Sequence, residues 1–236
     1  MIKTFSILRR NPTIEREEFV AQWRAFDEEL IRTAPVVPER LVHCNALKLG
    51  RSEPHHDGCG IIWHADARSR DDFFEFARSG DRADRWAEIV DPVATIEMVT
   101  DERIVRGDDW LESRWTDRAD ETVYMLLGFI ERKAPMTIAE FRDYWWDTHR
   151  PLANRLIPVE AQASAYVQNR VFDDSTAPWD GCGELYLDSL EQLPARAAFF
   201  NGPESAELEA DERRFLEHDT RMLLITDNVV VPISGR

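Results

Sequence analysis

Phe19-Val20-Ala21-Gln22-Trp23 returns later in the chain as Phe141-Arg142-Asp143-Tyr144-Trp145, and both anchor residues are displaced equally: 141 minus 19 and 145 minus 23 each give 122. Glu18 and Glu140, Leu30 and Leu152, Arg10 and Arg132 fall at the same offset. Asp57-Gly58-Cys59-Gly60 returns as Asp180-Gly181-Cys182-Gly183, where 180 minus 57 gives 123, and Thr100-Asp101 as Thr226-Asp227, where 226 minus 100 gives 126. An offset that grows slowly means short loop insertions between two copies of one pattern. Each copy reads as strand, helix, strand, strand, helix, strand.

Residues 2–9 and 123–132 do not alternate strictly and read as strands covered on both faces. The first helices carry Phe19, Trp23, Phe26 and Leu30, then Phe141, Trp145, Leu152 and Leu156, at helical spacing with charges opposite. Residues 41–49 and 163–172 read as second strands, and residues 59–64 and 182–187 as third strands entered through a glycine turn. The second helices open on Ser69-x-x-Asp72 and Ser189-x-x-Gln192, read as caps. Residues 93–100 and 222–226 are expected to close the copies. A four-stranded sheet with helices on one face leaves the other bare, so two such units are expected to pack sheet to sheet. The expected division is residues 1–106, a charged linker at 107–120 that docks through Trp110 and Trp115, and residues 121–236.

Hydrophobic residues make up 43% of the 236 and aromatics 10%, with eight Trp and twelve Phe, enough for a core and an aromatic-lined cavity. The formal charge of −16 repels phosphate backbones and anionic headgroups, so the expected partner is a small molecule, with neither nucleic acid nor membrane. The acids of residues 204–217 read as a solvated helical surface. Cys44, Cys59 and Cys182 cannot all pair and show no C-x-x-C spacing, which argues against a disulfide framework or zinc ribbon. With no export signal or membrane-spanning apolar run, the expected compartment is the cytoplasm.

The run Thr137-Ile138-Ala139-Glu140-Phe141-Arg142-Asp143-Tyr144-Trp145-Trp146-Asp147-Thr148-His149-Arg150-Pro151-Leu152 resembles the first-helix motif of EthD-like proteins in the dimeric α+β barrel superfamily, with a histidine four residues after a tryptophan and a proline beyond. The resemblance implies an α+β chain of two fused ferredoxin-like repeats whose antiparallel sheets form an intrachain barrel. It also implies proton-transfer chemistry on a small, aromatic molecule, with His149 as the acid–base group. The other copy has Asp27 in that place, followed by Glu28 and Glu29.

On its own helix His149 lies about 80° around from Phe141 and about 40° from Trp145, at the flank of the buried stripe. Pro151 cannot donate to the carbonyl of Asp147 and disfavours helical geometry at Arg150, so a kink is expected beside His149. The competing reading is a structural ring stacked on Trp145. Asp27 is a second candidate acid or base, set against a solvent-facing charge. His43 and Asn45 share a face of the second strand, as do Tyr166, Gln168 and Arg170 of its counterpart. These rows could line a pocket, Trp23 and Trp145 its walls, and a Tyr166 phenol could hold or protonate an oxygen beside an imidazole base. His55 and His56 read as loop residues, and His64 and His218, the latter on an acidic helix, as structural. No metal site is expected.

No G-x-G-x-x-G, Walker loop, G-x-S-x-G or H-E-x-x-H is present, so no metal, flavin, haem or nicotinamide is expected. Three functions follow: a cofactor-independent lyase that dehydrates, decarboxylates or cleaves a C–C bond in an aromatic compound; a cofactor-free monooxygenase of such a compound; and a non-catalytic binding protein. The fused repeat removes the usual need for a second chain, while a homodimer through exposed strand edges stays open.

Overall fold

A computed structural model gives the fold and describes residues 1–49, 53–116, 119, 121–172 and 176–233. The chain divides into two compact units. The first comprises residues 1–101, 118–122 and 226–236, the second residues 102–117 and 123–225.

In the first unit β1 (Ile2–Leu8), α1 (Arg16–Thr33), β2 (Arg40–Ala46), β3 (Gly58–His64), α2 (Ala67–Ala77), α3 (Asp81–Ile89) and the start of β4 (Ile96–Arg106) follow in order. β1 pairs antiparallel with both β3 and β4, with Phe5 opposite Ile61 and Met98. Every residue of β3 and all but the first of β1 are buried, the polar Lys3, Thr4 and Ser6 included. Phe19, Trp23, Phe26 and Leu30 of α1 are buried in one core with Leu8, Leu41, Ile62 and Phe73.

The second unit runs through α4 (Asp108–Trp115), β5 (Val123–Arg132), α5 (Ile138–Asp143), a π-helical turn (Tyr144–His149), α6 (Arg150–Leu156), β6 (Ala165–Val171), β7 (Gly181–Leu187), α7 (Gln192–Asn201), α8 (Ala206–Phe215) and β8 (Leu216–Val230), whose last five residues belong to the first unit. α5 begins in a complete capping box: Thr137 Oγ1 accepts from Glu140 N, and Glu140 Oε2 accepts from Thr137 N at 2.8 Å. Trp110 of α4 donates to Asp188 Oδ1 at 3.0 Å and packs 5.4 Å from the Tyr186 ring, so this segment docks within its unit. The eight strands follow one hydrogen-bonding order, β1-β3-β2-β8-β5-β7-β6-β4, an antiparallel barrel in an α+β protein.

Local features recur in the two units. Arg10 donates through N and Nη1 to Asp57, and Arg132 through the same atoms to Asp180, tying the end of the first strand to the glycine turn that opens the third. A Cβ on Gly58 would stand 2.8 Å from Trp23 Cζ3, and one on Gly181 2.7 Å from Trp145 Cζ3. Glycine is what lets each tryptophan lie on its sheet.

Several element boundaries differ from expectation. The single second helix of each copy is two: Gly80, at φ 57°, separates α2 from α3, and residues 202–205 separate α7 from α8. Asp66 caps α2, and Ser69 sits three residues inside it as the reciprocal partner. β4 and β8 are longer than the apolar segments that announced them, and His218 lies on β8, not on a helix. No helix among the described residues is long and apolar enough to cross a membrane.

Candidate functional site

His149 ends the π-helical turn. Arg150 N donates to Trp145 O, five residues back, a wider loop than the four-residue α bond. The expected kink is therefore an under-wound turn next to Pro151, and it aims the imidazole at α8. There Nδ1 lies 2.9 Å from Asp211 Oδ2, the other carboxylate oxygen accepts from Tyr144 Oη at 2.6 Å, and the ring packs 4.9 Å from Phe215. His149 is 8% exposed and Asp211 4%. The acidic run of residues 204–217 is thus not wholly a solvated surface; Asp211 faces inward.

An ionised carboxylate only accepts, so beside ionised Asp211 the shared hydrogen belongs to Nδ1, and in the uncharged ring the lone pair then falls on Nε2. Nε2 has no hydrogen-bond partner among the described residues, which leaves it free to exchange a proton. Burial, followed by the bond to Asp211, raises the pKa of Tyr144, so its phenol stays neutral and donating. Asp211 and Tyr144 are the participants the sequence did not suggest. Tyr144 lies inside the motif, but Asp211 is 62 residues from His149 in a helix of charges.

Tyr166 and Gln168 lie on β6. Gln168 Nε2 is 3.4 Å from both Trp145 O and Tyr166 Oη, and the Tyr166 ring covers Gly183. Burial raises the phenol's pKa, so Tyr166 is a neutral hydrogen-bond donor at neutral pH. No hydrogen bond joins it to His149 among the described residues. Arg170, buried, sits opposite Gly181 in the β6–β7 register.

The first unit holds a second imidazole–carboxylate pair with the elements exchanged. Asp27, buried on α1, binds His43 Nε2 of β2 at 2.7 Å, and Trp23 stacks on His43 at 4.1 Å. Because α1 continues without a π turn, Asp27 faces the sheet. His43 opposes Gly60 and Gln168 opposes Gly183, so register makes Gln168 the counterpart of His43. A cavity of about 60 Å³ opens beside Asp27, walled by Trp23, Phe26, Phe73, Phe74 and Trp86. Asn45 stands apart, bonded to Asp227 Oδ1 at 2.8 Å. Among the described residues, no group of three or more His, Cys, Asp or Glu is placed to hold a metal ion.

This combination defines an α+β barrel protein carrying an aspartate-oriented histidine on the first helix of its second unit. Residues 133–219 match the EthD domain family, the segment in which α5, the π turn and Asp211 all lie. The fold is shared with an anthrone oxidase-like protein (TM-score 0.64, 10% identity, 99% of this chain and 93% of that one). It is shared also with a proposed monooxygenase from Fusobacterium nucleatum (0.53, 10%, 98% and 92%). A chlorite dismutase variant from Candidatus Nitrospira defluvii aligns too (0.50, 12%, 95% and 90%). At such identities the likeness is one of fold. No curated protein sequence matches the chain.

Proposed function

We propose that this protein is an enzyme that uses His149 as general base and acid on an oxygenated aromatic small molecule, as a lyase that works without a cofactor. The observation that carries this is the chain Tyr144 Oη to Asp211 to His149 Nδ1, which fixes the tautomer and leaves Nε2 open. Orientation of an imidazole by a buried carboxylate is the arrangement by which an uncharged ring takes a proton and the resulting imidazolium is stabilised. In a dehydration, Nε2 removes a proton from carbon, the electron pair forms the new C=C bond, and the adjacent C–O bond breaks. The protonated imidazole, or the neutral Tyr166 phenol, supplies the proton with which the hydroxyl leaves as water.

The recurring Arg–Asp ties and tryptophan–glycine contacts support two fused copies of one unit, residues 1–106 and 121–236, joined by residues 107–120. Under this reading the first copy kept an imidazole–carboxylate pair but turned it toward the sheet, and catalysis belongs to the second.

Incubation of the purified chain with a panel of hydroxylated aromatic compounds, followed by product mass and dissolved oxygen, tests the proposal. Loss of water, carbon dioxide or an aldehyde without oxygen uptake is expected. Oxygen uptake with gain of an oxygen atom would replace the lyase by a monooxygenase, and binding without turnover by a ligand-binding protein. His149→Ala and His149→Gln are expected to lower turnover by about a hundredfold to ten-thousandfold. Near-native turnover in both would remove His149 from the chemistry.

A further inference from the structure

Arg106 and Arg196, both in the second unit, form no ion pair with a carboxylate among the described residues. Arg106, the last residue of β4, gives Nη1 to Gln162 Oε1 at 2.9 Å and to Asn154 Oδ1 at 3.4 Å. Its Nε is buried and has no acceptor. Arg196 on α7 gives Nη1 to Ala161 O at 3.2 Å and lies 4.6 Å over the Phe200 ring. Glu212, the acid whose field reaches Arg196, is held by Arg221 at 2.8 Å.

Both guanidinium groups attend Tyr166. Arg106 Cζ is 6.0 Å from the centre of its ring, and Arg106 is the cation whose charge bears most on Arg196. Burial lowers the pKa of Arg196 to about 10, still well above neutrality, so the group stays cationic. Two half-buried cations that act on each other, neither paired with a carboxylate among the described residues, are costly. The chain does not lack acids, having 45 against 29 lysines and arginines, and the partly buried Arg10, Arg132 and Arg221 each pair with one. Around Tyr166 the wall is apolar, with Ala163, Leu185 and Leu193.

We propose that Arg106, Arg196 and the Tyr166 hydroxyl bind the carboxylate of a small aromatic ligand, whose ring lies against the Leu185 and Leu193 wall. This rests on the second unit being the working one and names the group by which it recognises its substrate. Guanidinium N–H groups match a carboxylate in geometry and charge, and a phenol adds a third donor. Tyr166 connects to the His149 helix through Gln168, so a ligand anchored here is held next to the segment that carries the base. In a protein of charge −16 an anion gains nothing from the overall field, and the local pair of cations has to provide the attraction.

Calorimetric titration of the full chain with 2-hydroxybenzoate and with its neutral analogue 2-hydroxybenzamide, at neutral pH, tests this. The carboxylate is expected to bind at least about tenfold more tightly than the amide. Arg196→Gln and Arg106→Gln are each expected to erase most of that preference, and Arg155→Gln, an exposed arginine paired with Glu207, to leave the binding of both probes as in the parent. Should Arg106→Gln fail to fold, Arg196→Gln decides alone. Equal affinity for the two probes, an undiminished preference in Arg196→Gln, or no binding of either probe would overturn the proposal. His149→Ala is expected to keep the carboxylate preference, so the site can stand even if the catalytic role of His149 falls.

Discussion

The 2.9 Å contact between Asp211 and His149 assigns a different duty to each imidazole nitrogen, and a single oxygen-to-nitrogen exchange tests it. In Asp211→Asn the amide keeps the shape but removes the charge that stabilises an imidazolium and can present N–H instead of a lone pair. Turnover is expected to fall by about tenfold to a thousandfold with little change in melting temperature, whereas Tyr144→Phe, which removes one bond to Asp211, costs less. Steady-state rates of both variants decide; an Asp211→Asn enzyme as fast as the parent would show the carboxylate to be packing only. Asp27→Asn is the complementary case: it weakens the buried bond to His43, so a stability loss of about 1–3 kcal/mol is expected with turnover retained. His64 gives a prediction in pH. Both of its ring nitrogens are buried without a partner and Phe73 and Phe74 pack on it, so burial depresses its pKa to about 4. A depressed histidine pKa favours the neutral form in the folded state. Stability from this residue is therefore complete above pH 6.5 and is lost as pH falls toward 4, by about 3 kcal/mol in all. Chemical denaturation of the parent and of His64→Leu across that window should show the slope reduced in the variant, and parallel curves would refute the assignment.

The contrast between α1 and its counterpart falls beside one imino acid, Pro151. α1 runs unbroken for 18 residues, while the second unit divides the same stretch into α5, a π turn and α6. Pro151 offers no hydrogen to the carbonyl of Asp147, and the wider turn is how the backbone accommodates that loss while swinging His149 toward α8. Pro151→Ala returns the missing donor. The turn is expected to tighten toward an α-helix, lengthening the His149–Asp211 contact, so turnover should drop at least about tenfold while the melting temperature holds or rises. A variant with unchanged turnover would mean that neighbouring packing, not Pro151, maintains the π turn. At this scale the sequence was most informative where the signal is local: the Phe19–Trp23 and Phe141–Trp145 stripes and the glycine turns all lie within one or two turns of chain. It was least informative where a distant element decides. Asp211 reads like any acid of α8 until that helix is seen packed on the π turn. Arg106 and Arg196 stand out only by forming no carboxylate pair among the described residues, which no spacing encodes. The division of each second helix is marked in the chain itself by Ser79-Gly80 and Asn201-Gly202-Pro203, local breakers between helical stretches.

Across the whole molecule an excess of 16 negative charges works against compactness. Raising salt from about 0.01 M to about 0.15 M shortens the screening length from about 30 Å to about 8 Å. The melting temperature is therefore expected to rise over that range, and a fall would mean that paired charges such as Arg10–Asp57 and Arg132–Asp180 outweigh the repulsion. The repeat made the number of strands legible from the amino acids, but not their hydrogen-bonding order, because β4 and β8 extend into polar sequence that carries no strand-like alternation.

That order bears on how the protein is made. Residues 42–46 of β2 take as hydrogen-bonding neighbours residues 226–230 of β8, and 226 minus 46 is 180. A ribosome releases the first unit's helices, its β1, β2 and β3 and the start of β4 long before it releases the strand that covers β2. Until then the nascent N-terminal half carries an open β edge, a template for pairing with the wrong chain. Synthesis from the amino end therefore cannot finish this protein one half at a time: the half that is begun first is completed last.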